Sequence, residues 1–518
     1  MAQTDTLPSG PDLTRGVPLT SIPHGGMLAG HVDGAPVLLA RFDDGVHAVG
    51  GTCSHYGAPL ADGLVLDGEI HCPWHHACFS LRTGAALRAP AFAPLGRWEV
   101  EIVDDTVFVR APDSAPVPPP STSRGSEHPG RIVIVGGGAA GFAAAERLRG
   151  LGFAGTLSML SADDAPPCDR PNLSKDYLAG TAPEDWIPLQ PPDFYAAHGI
   201  DLRLGCQVGA IDVAARHVLT ADGERVAWDA LLIATGSEPR RLSLPGFDRS
   251  NVFALRSLAD ARAIVAACAQ AASVVFIGAG FIGLEAAGAL RSRDLDVHVV
   301  APEAIPMERA LGPDVGGFLL DLHRAEGIAF HLGASAKGFD GSVVTLEDGT
   351  RIAADMVIVG VGVSPRTGLV DGTGIEVRDG IVVDACLRTS VSGILAAGDV
   401  ARFPYGDGDA RIEHWVHAQR QGQVAAANLL GDAQPFADVP FFWTHHQGVE
   451  LRCTGVTRGW DRIRVDGGLS RRDFTAYYYR GERLIAAASV GRDLENLRIE
   501  AGLRKAGASV GPEAHARP

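Results

Sequence analysis

Short apolar runs without helical spacing fill the chain from residue 17 to about residue 110. The runs over 37–40, 98–102 and 106–109 have the length of β-strands, and the run over 98–102 alternates apolar and acidic side chains. Alternation with a period of two is typical of a half-buried strand. The pattern therefore predicts a small antiparallel β domain at the front of the chain.

The pattern changes to alternating strands and helices from residue 131. A buried apolar strand over 131–135 runs into an Ala-rich helical segment, and the same order returns from residue 273. Such alternation is typical of a parallel sheet covered by helices. After residue 431 strands return, followed by a closing helix over 493–505, and we expect the tail after residue 507 to be disordered.

Length and charge limit the class of protein. The 518 residues suit roughly three or four domains, and the net charge of −16 argues against a nucleic-acid partner, because phosphate binding needs clustered Lys and Arg. The 8 cysteines show no disulfide-like grouping, the N-terminus has no apolar signal segment, and no run of about eighteen uncharged apolar residues occurs. We therefore expect a cytoplasmic protein without a membrane span, either a monomer or a homodimer.

Two Cys-His pairs stand in the predicted β domain. The first pair is Cys53 and His55, and the second pair, Cys72 and His75, begins after sixteen further residues. In a Rieske [2Fe–2S] centre two thiolates hold one iron and two imidazoles hold the other. The spacing therefore predicts that these four side chains bind such a cluster.

A structural zinc site is the alternative reading of these four residues. Zinc fingers pair Cys with Cys and His with His, which differs from the order in this chain. The surroundings favour the iron–sulfur cluster, because segments 53–60 and 72–75 resemble the two cluster-binding loops of Rieske-type ferredoxins. That family usually has Gly after the second His, whereas this chain has His76, which places another imidazole beside the cluster.

Glycine-rich turns follow both buried strands of the α/β part. The first triplet is Gly136, Gly138 and Gly141, and the second is Gly278, Gly280 and Gly283. In a Rossmann unit the first glycine permits a tight turn, the second lets the backbone approach a pyrophosphate, and the third lets the helix pack on the strand. Two such units predict FAD at the first and NAD(P) at the second; one degenerate unit that binds nothing is the alternative.

These elements together define the predicted fold class and its bounds. The chain is expected to be multidomain, with an all-β Rieske domain, an α/β part with two Rossmann-type units, and a C-terminal α+β domain. The bounds are 17–112 for the Rieske domain, 113–130 for a proline-rich linker, 131–250 and 376–432 for the two parts of the FAD domain, 251–375 for the NAD domain, and 433–507 for the C-terminal domain. The linker would span about 55 Å as extended polyproline II, which predicts a semi-rigid tether that lets the Rieske domain move.

The core of the chain resembles the ferredoxin-reductase branch of the FAD-dependent pyridine-nucleotide oxidoreductases. With the Rieske domain in front, the whole chain resembles the apoptosis-inducing-factor-like reductases. The segments that carry this resemblance are 169–175, 232–236, 394–399 and 412–422. The resemblance implies that Lys175 and Glu285 form the ion pair that this family places near flavin N5, and we take them as the catalytic candidates, since a buried Glu needs a cationic partner.

The motifs and the resemblance together imply a set of cofactor-binding residues. They are Gly136, Gly138, Ala139, Ala140, Gly141, Asp163, Arg170, Lys175, Ala234, Thr235, Gly236, Gly278, Gly280, Phe281, Ile282, Gly283, Glu285, Glu303, Gly362, Gly398, Asp399, Glu413, His414 and Trp415. Asp399 is expected to bind the ribityl chain, to cap a helix, or to do both, and Asp163 is expected to bind the FAD ribose. Glu303 follows the second strand of the second unit, where a carboxylate accepts bonds from a ribose 2′-hydroxyl and repels a 2′-phosphate, which favours NADH over NADPH.

The combined elements predict an enzyme, an FAD-dependent NAD(P)H oxidoreductase of the ferredoxin-reductase type. Electrons are expected to pass from NADH through FAD to the fused Rieske cluster and on to an acceptor. The acceptor classes are a ferredoxin, a haem protein, an oxygenase, a quinone or another small molecule.

Three other functions can be compared with this one, and two of them are excluded by what the chain lacks. A Rieske oxygenase would need a further 2-His-1-carboxylate iron domain, for which no room is left. A disulfide reductase would need a redox Cys pair after the first glycine-rich helix, which the sequence lacks. A redox-sensing or interaction flavoprotein of the apoptosis-inducing-factor type, with slow turnover, stays as the alternative.

Overall fold

The computed structural model describes residues 10–42, 45–113 and 129–508. The predicted linker, apart from its ends, and the tail after residue 507 that was predicted to be disordered, apart from Ala508 at the end of the last helix, lie outside the described residues. The chain divides into two compact units, the first up to Pro120 together with Arg492–Lys505, and the second Ser121–Gly491 with the residues after Lys505. The domain bounds inferred from the sequence stay predictions.

The described residues of the first unit form ten strands in two antiparallel sheets. The strands are β1 Val17–Pro18, β2 Met27–Val32, β3 Ala35–Phe42, β4 Gly45–Gly50, β5 Leu64–Leu66, β6 Glu69–His71, β7 Cys78–Ser80, β8 Ala86–Arg88, β9 Arg97–Val103 and β10 Thr106–Pro112. The larger sheet has the order β1-β10-β9-β4-β3-β2, and the smaller sheet has the order β5-β6-β7-β8. The predicted antiparallel β domain is confirmed, and its three predicted strands lie within β3, β9 and β10.

Strand β3 is shared between two apolar cores. Leu38 packs in a cluster with Cys53 and Phe79, whereas Leu39 packs in a second cluster with Val107. Neighbouring side chains of a strand point to opposite faces of the sheet. The run over 37–40 is therefore continuously apolar because both faces of β3 are covered, and one of those faces lies against the smaller sheet that carries the second Cys-His loop.

The second unit contains the remaining strands. They are β11 Arg131–Val135, β12 Thr156–Leu160, β13 Ile200–Arg203, β14 Val208–Asp212, β15 His217–Thr220, β16 Arg225–Ala227, β17 Ala230–Ile233, β18 Ser237–Pro239, β19 Val252–Phe253, β20 Ser273–Ile277, β21 Asp296–Ala301, β22 Ala329–Leu332, β23 Ala336–Phe339, β24 Val343–Leu346, β25 Arg351–Ala353, β26 Met356–Val359, β27 Val363–Pro365, β28 Ile381–Val382, β29 Ile394–Ala396, β30 Ala401–Tyr405, β31 Gly408–Ala410, β32 Phe441–His446, β33 Val449–Gly455, β34 Arg462–Gly468, β35 Asp473–Arg480 and β36 Arg483–Val490.

Helices cover these sheets or close the chain. They are α1 Ala139–Gly150, α2 Arg170–Leu173, α3 Asp176–Ala179, α4 Asp193–Ala197, α5 Leu258–Cys268, α6 Phe281–Arg291, α7 Glu308–Ala325, α8 Trp415–Leu429 and α9 Asp493–Ala508. None of the helices in the described part of the chain combines the length and apolar character that crossing a bilayer requires.

Two five-stranded parallel sheets form the centre of the second unit. Their orders are β13-β12-β11-β17-β29 and β19-β26-β20-β21-β22. Each carries a three-stranded antiparallel meander as an insertion, β14-β15-β16 in the first sheet and β23-β24-β25 in the second. The central strands β11 and β20 are almost completely buried. Parallel sheets are covered on both faces, so their strands are continuously apolar. The predicted parallel α/β architecture with two Rossmann-type units is confirmed.

The closing part of the chain has two structural roles. Strands β32 to β36 form an antiparallel sheet in the second unit, in the order β32-β33-β36-β35-β34. Most of the predicted closing helix, α9, instead groups with the first unit, where Asn496, Leu497 and Glu500 are buried. Glu500 lies one turn after Asn496 and Leu497 on the same face of α9, and that face completes the β domain.

Candidate functional site

The two Cys-His loops of the first unit have the same backbone conformation. In the first loop the amide of Cys53 donates to the carbonyl of Ala58 over 2.8 Å, and in the second the amide of Cys72 donates to the carbonyl of Ala77 over 2.8 Å. Each cysteine carbonyl then accepts from the amide four residues later. The matched turns bring one Cys and one His from each loop together.

The four predicted ligands converge in the geometry of a metal site. The Nδ1 atoms of His55 and His75 lie 3.3 Å apart. Two imidazole nitrogens on one tetrahedral metal ion lie about 3.4 Å apart. The neighbouring thiol of Cys72 and burial both raise the pKa of Cys53, and burial lowers the pKa of His55 to about 4. Adjacent thiols and neutral imidazoles are the donor set of a Rieske cluster, so these residues fit a [2Fe–2S] group.

His76 occupies a left-handed position in the second loop. Its φ of 59° corresponds to the φ of 76° at Gly57, the equivalent residue of the first loop. A side chain is strained at such a φ, which is where glycine is usually found. The His76 ring is buried and its Nδ1 contacts Glu500 of α9, whose other oxygen accepts from Arg88 over 2.8 Å. These contacts compensate for the backbone strain and fix α9 against the loop.

A cavity of about 800 Å³ lies between the nucleotide-binding turns of the second unit. Gly136 has a φ of 120°, and a Cβ there would lie 2.2 Å from the carbonyl oxygen of Ala234. Gly138 and Gly280 face open space instead, since the nearest atom to a Cβ on Gly138 would be the tip of Arg170 at 3.7 Å. The backbone of both helix N-termini is therefore accessible to phosphates, as a dinucleotide requires.

Most of the predicted cofactor-binding residues line this cavity. They are Gly136, Gly138, Ala139, Ala140, Asp163, Arg170, Lys175, Ala234, Thr235, Gly236, Gly280, Phe281, Ile282, Gly283, Glu285, Gly362, Gly398, Asp399, Glu413, His414 and Trp415. Gly141, Gly278 and Glu303 are not among the described residues of the lining. A Cβ on Gly141 would lie 1.9 Å from the carbonyl of Gly136, and one on Gly278 would lie 2.4 Å from that of Gly360, so these two glycines permit close backbone packing.

The two catalytic candidates meet in the cavity. Lys175 Nζ donates to Glu285 Oε2 over 2.9 Å, and Glu285 is only 6% exposed. The same carboxylate accepts from the hydroxyls of Ser174 and Thr444, each over 2.6 Å, and from the amide of His445 over 3.2 Å. Burial alone would raise the pKa of Glu285, but Lys175 and the two hydroxyls hold it below its ordinary value. Glu285 is therefore a fixed negative charge beside a cation.

A chain of buried groups continues from Glu285 into the protein. Thr444 Oγ1 lies 2.9 Å from His446 Nε2, and His446 Nδ1 lies 3.1 Å from His323 Nε2. Because the Thr444 hydroxyl donates to Glu285, it must accept from His446, whose other nitrogen then accepts from His323. Burial lowers the pKa of His446 to about 3 and that of His323 to about 4, so both rings are neutral. Every bond in this chain points toward Glu285.

Two further ion pairs hold acidic residues at the edge of the cavity. Arg256 donates to Asp399 over 2.8 Å, and Arg170 donates to Asp163 over 2.8 Å. His414 stacks on Phe442 with ring centroids 4.2 Å apart, and burial lowers its pKa to about 4. This arrangement offers carboxylates for sugar hydroxyls and flat neutral rings for an aromatic cofactor.

The sequence alone did not identify several residues that shape this site. They are Ser174, Arg256, His323, Thr444 and His446, of which the last three come from elements far along the chain from Glu285. Ser174 precedes Lys175 within the segment 169–175 that resembles the family, and this position is the one sequence feature that could have identified it. No local pattern marks the others, because tertiary packing between distant elements, such as β32 against α6, and not spacing along the chain brings them to the site.

Three family models match this chain. They are the pyridine nucleotide-disulphide oxidoreductases over residues 130–422, the Rieske [2Fe-2S] domain over 17–101, and the reductase C-terminal domain over 441–518. The cluster loops lie in the second match and the cavity lies mainly in the first. The third match covers β32 to β36 of the second unit and also α9, which groups mostly with the first unit.

Curated relatives and solved structures agree with these matches. The chain is 36% identical to apoptosis-inducing factor 3 of Homo sapiens, over 88% of this chain and 78% of the relative. It is 36% identical to putidaredoxin reductase of Pseudomonas putida, over 70% of this chain and 89% of the relative. The structure of a covalent putidaredoxin reductase–putidaredoxin complex matches with a TM-score of 0.70 and 35% identity, over 72% of this chain and 93% of that chain.

The family implies FAD and NAD(P)H for the second unit and a [2Fe–2S] cluster for the first. Open backbone at both glycine turns and the converging Cys and His side chains fit these groups. This chain belongs to the pyridine nucleotide-disulphide oxidoreductase family and is a ferredoxin-reductase-like flavoprotein with a Rieske domain at its front.

Proposed function

We propose that this enzyme passes electrons from NADH through FAD to its own Rieske cluster and on to a separate redox protein. One observation supports the proposal: a single chain holds a cavity lined by both glycine-rich turns and four converging Cys and His side chains that suit a Rieske cluster. FAD accepts a hydride and releases electrons one at a time, and a Rieske cluster carries one electron, so the pair converts two-electron into one-electron chemistry.

The residues of the second unit serve to bind and orient in this proposal. Gly138 and Gly280 present amides to the two pyrophosphates, and Asp399, held by Arg256, accepts from the ribityl chain. The Lys175–Glu285 pair fixes charge at the reacting end of the cavity without taking up a proton, since Glu285 is held ionised by four donors. His414, neutral and stacked on Phe442, gives the ring system a flat wall.

NADH is the proposed donor, in preference to NADPH. Glu303 comes two residues after β21, the second strand of the second Rossmann-type unit. That is where a carboxylate discriminates between a ribose hydroxyl and a 2′-phosphate. A ratio of kcat/KM that favours NADH over NADPH, and that falls in Glu303→Ala, would support this assignment, and an unchanged ratio would contradict it.

A small one-electron redox protein is the proposed acceptor. The relatives include reductases named for putidaredoxin, rhodocoxin and rubredoxin, and one matched structure is a reductase in complex with its redox partner. A haem protein, an oxygenase and a quinone are the other classes. The cytoplasmic location and a monomeric or homodimeric state stay predictions.

The test uses the full chain loaded with FAD and cluster, mixed rapidly with NADH. The flavin absorption should bleach first, and the rhombic paramagnetic signal of a reduced Rieske cluster should follow. Cys72→Ala should remove that signal and leave flavin bleaching unchanged, because Cys72 lies in the first unit and the cavity in the second. A cluster that stays oxidised while the flavin is reduced would overturn the proposal.

A redox-sensing or interaction flavoprotein is the second candidate, because apoptosis-inducing factor 3 matches over both units. This candidate predicts slow NADH turnover and a long-lived reduced flavin. Steady NADH-driven reduction of a one-electron dye, lost in Cys72→Ala, would favour electron transfer, whereas reduced flavin persisting with excess dye would favour the sensor.

A further inference from the structure

Three potential metal ligands outside the Rieske site converge on one face of the smaller sheet. Glu69 and His71 stand two residues apart on β6, and Cys78 begins β7 directly opposite His71 in the antiparallel register. Side chains two apart on a strand share a face, and the cross-strand neighbour shares it too. Rigid strands therefore hold these three groups together, and no loop conformation is needed.

The distances between the three ligand atoms form a small triangle. Cys78 Sγ lies 2.8 Å from Glu69 Oε2 and 3.8 Å from His71 Nε2, and the His71 and Glu69 atoms are 3.6 Å apart. In a tetrahedral zinc site with one thiolate, one imidazole and one carboxylate these edges would be about 3.4 to 3.6 Å. Two edges already agree to within a few tenths of an ångström, and the third would open by rotation of the Glu69 side chain.

Burial leaves one side of this triangle open to solvent. His71 and Cys78 are buried, whereas the Glu69 side chain is 34% exposed. A water molecule would complete the tetrahedron from the side of Glu69. The charge also balances, because a thiolate and a carboxylate neutralise a divalent cation, and the proton of Cys78 leaves to the solvent as the cation binds.

A nearby cation is the main electrostatic argument against a metal here. Arg88 pairs with Cys78 in the register of β7 and β8. Its guanidinium donates to the buried carboxylate of Glu500 over 2.8 Å, so its charge is compensated within the first unit. Arg504 of α9 also acts on His71 and Cys78. An ion at this triangle would be held by the charges of Glu69 and the Cys78 thiolate against this second cation.

We propose that Glu69, His71 and Cys78 form a Zn²⁺ site distinct from the Rieske centre. His71 and Cys78 flank the loop that holds Cys72 and His75. An ion bound to both residues fixes the two ends of that loop, in addition to the bond from the Cys72 amide to Ala77. The chemical class that the donors select is a borderline-soft divalent ion with tetrahedral preference.

The experiment measures zinc binding to the full-length protein with its cluster in place. The protein is dialysed against buffered micromolar zinc chloride, and zinc and iron are counted by mass spectrometry together with the Rieske paramagnetic signal. About one zinc per chain is expected beyond the iron, with the signal unchanged. Glu69→Gln should weaken zinc binding at least ~10-fold, and Cys78→Ala should weaken it further.

A matched control and the zinc ligand set distinguish this site from others. Glu101→Gln changes an exposed carboxylate on β9 of the same unit and should leave zinc binding unchanged. X-ray absorption at the zinc edge should show one sulfur and otherwise nitrogen and oxygen, whereas zinc that had replaced iron would show two sulfurs. Cluster-loaded protein that retains no zinc, zinc binding unaffected by Glu69→Gln, or a two-sulfur site would each overturn the proposal and leave the thiol–carboxylate contact as a plain hydrogen bond. If the Cys78→Ala variant does not fold, the zinc affinity of the Glu69→Gln variant alone decides the test.

Discussion

Lys175 and Glu285 lie 2.9 Å apart although they belong to two different nucleotide units. Lys175 precedes α3, after the first glycine-rich turn, and Glu285 lies on α6, after the second. The pair therefore forms only when both units are folded and packed together. The position of this charge therefore depends on correct assembly of the cavity, and its chemistry does so too.

Glu285→Gln should slow reduction of the flavin by NADH while FAD stays bound. The variant leaves Lys175 in a largely buried position without its counter-charge, and breaking such a pair costs about 3 kcal/mol or more of stability. Stopped-flow bleaching of the flavin and thermal unfolding measure the two effects. Glu184→Gln, which removes an exposed carboxylate paired with Arg262, should cost less than ~1 kcal/mol and change no rate. Equal behaviour of the two variants would contradict the assigned role of Glu285.

Thr444→Val should interrupt the buried chain between Glu285 and His446. Valine has nearly the same shape, but without the hydroxyl two buried groups lose a partner, at a cost of about 1 to 3 kcal/mol. Thr444→Ser keeps the hydroxyl and should keep both stability and the rate of flavin reduction. The comparison of unfolding temperatures and rates between the two variants checks this, and a serine variant as impaired as the valine variant would point to packing and not to hydrogen bonding.

The fold and the convergence of the four Cys and His side chains were predictable from the sequence because both depend on local patterns. The run over 131–135, its glycine triplet and the Cys-His spacings each fix a conformation within a few residues. The partners of Glu285 were not predictable in this way. Thr444 and His446 stand on β32, more than 150 residues away in the chain, and only the packing of β32 against α6 brings them to the carboxylate. The place of α9 was also hidden, since its amphipathic pattern shows that one face is buried but not which unit covers it.

Asp399→Asn should weaken FAD binding by about 10- to 100-fold. Arg256 fixes the Asp399 carboxylate at 2.8 Å, and hydrogen bonds to a charged group contribute about 1.5 to 3 kcal/mol. Fluorescence of released FAD during titration gives the dissociation constant. Arg256→Met should produce a smaller effect in the same direction, because Asp399 keeps its charge but loses its orientation. The structure does not support the expected capping role, since Asp399 is followed by strand β30 and not by a helix. FAD affinity unchanged in both variants would show that this pair only joins the segment after β29 to the segment before α5.

Glu146→Gln should stabilise the second unit, and more so at high pH than at low pH. Glu146 lies on α1, and burial raises its pKa to about 7 from an ordinary value of 4.5, with Arg147 and His198 acting in the opposite direction. Between these two values the folded chain keeps a proton that the unfolded chain has lost, so the stability contributed by this residue falls as pH rises from about 4.5 and levels off above about 7. The glutamine variant does not lose this stability. In the parent protein we expect the loss to be about 1 to 2 kcal/mol, because the Glu146 side chain still reaches solvent.

Unfolding temperatures of FAD-saturated Glu146→Gln and of the parent protein at pH 5 and pH 8 test this sign. The gap between them should widen toward pH 8. Glu347 is an exposed residue in the meander after β24, and the unfolding temperature of Glu347→Gln should follow that of the parent protein at both pH values. A Glu146→Gln curve that also runs parallel to the parent would show that Glu146 ionises normally in the folded chain, and a gap that narrows toward pH 8 would show that its charged form is the one that the fold stabilises.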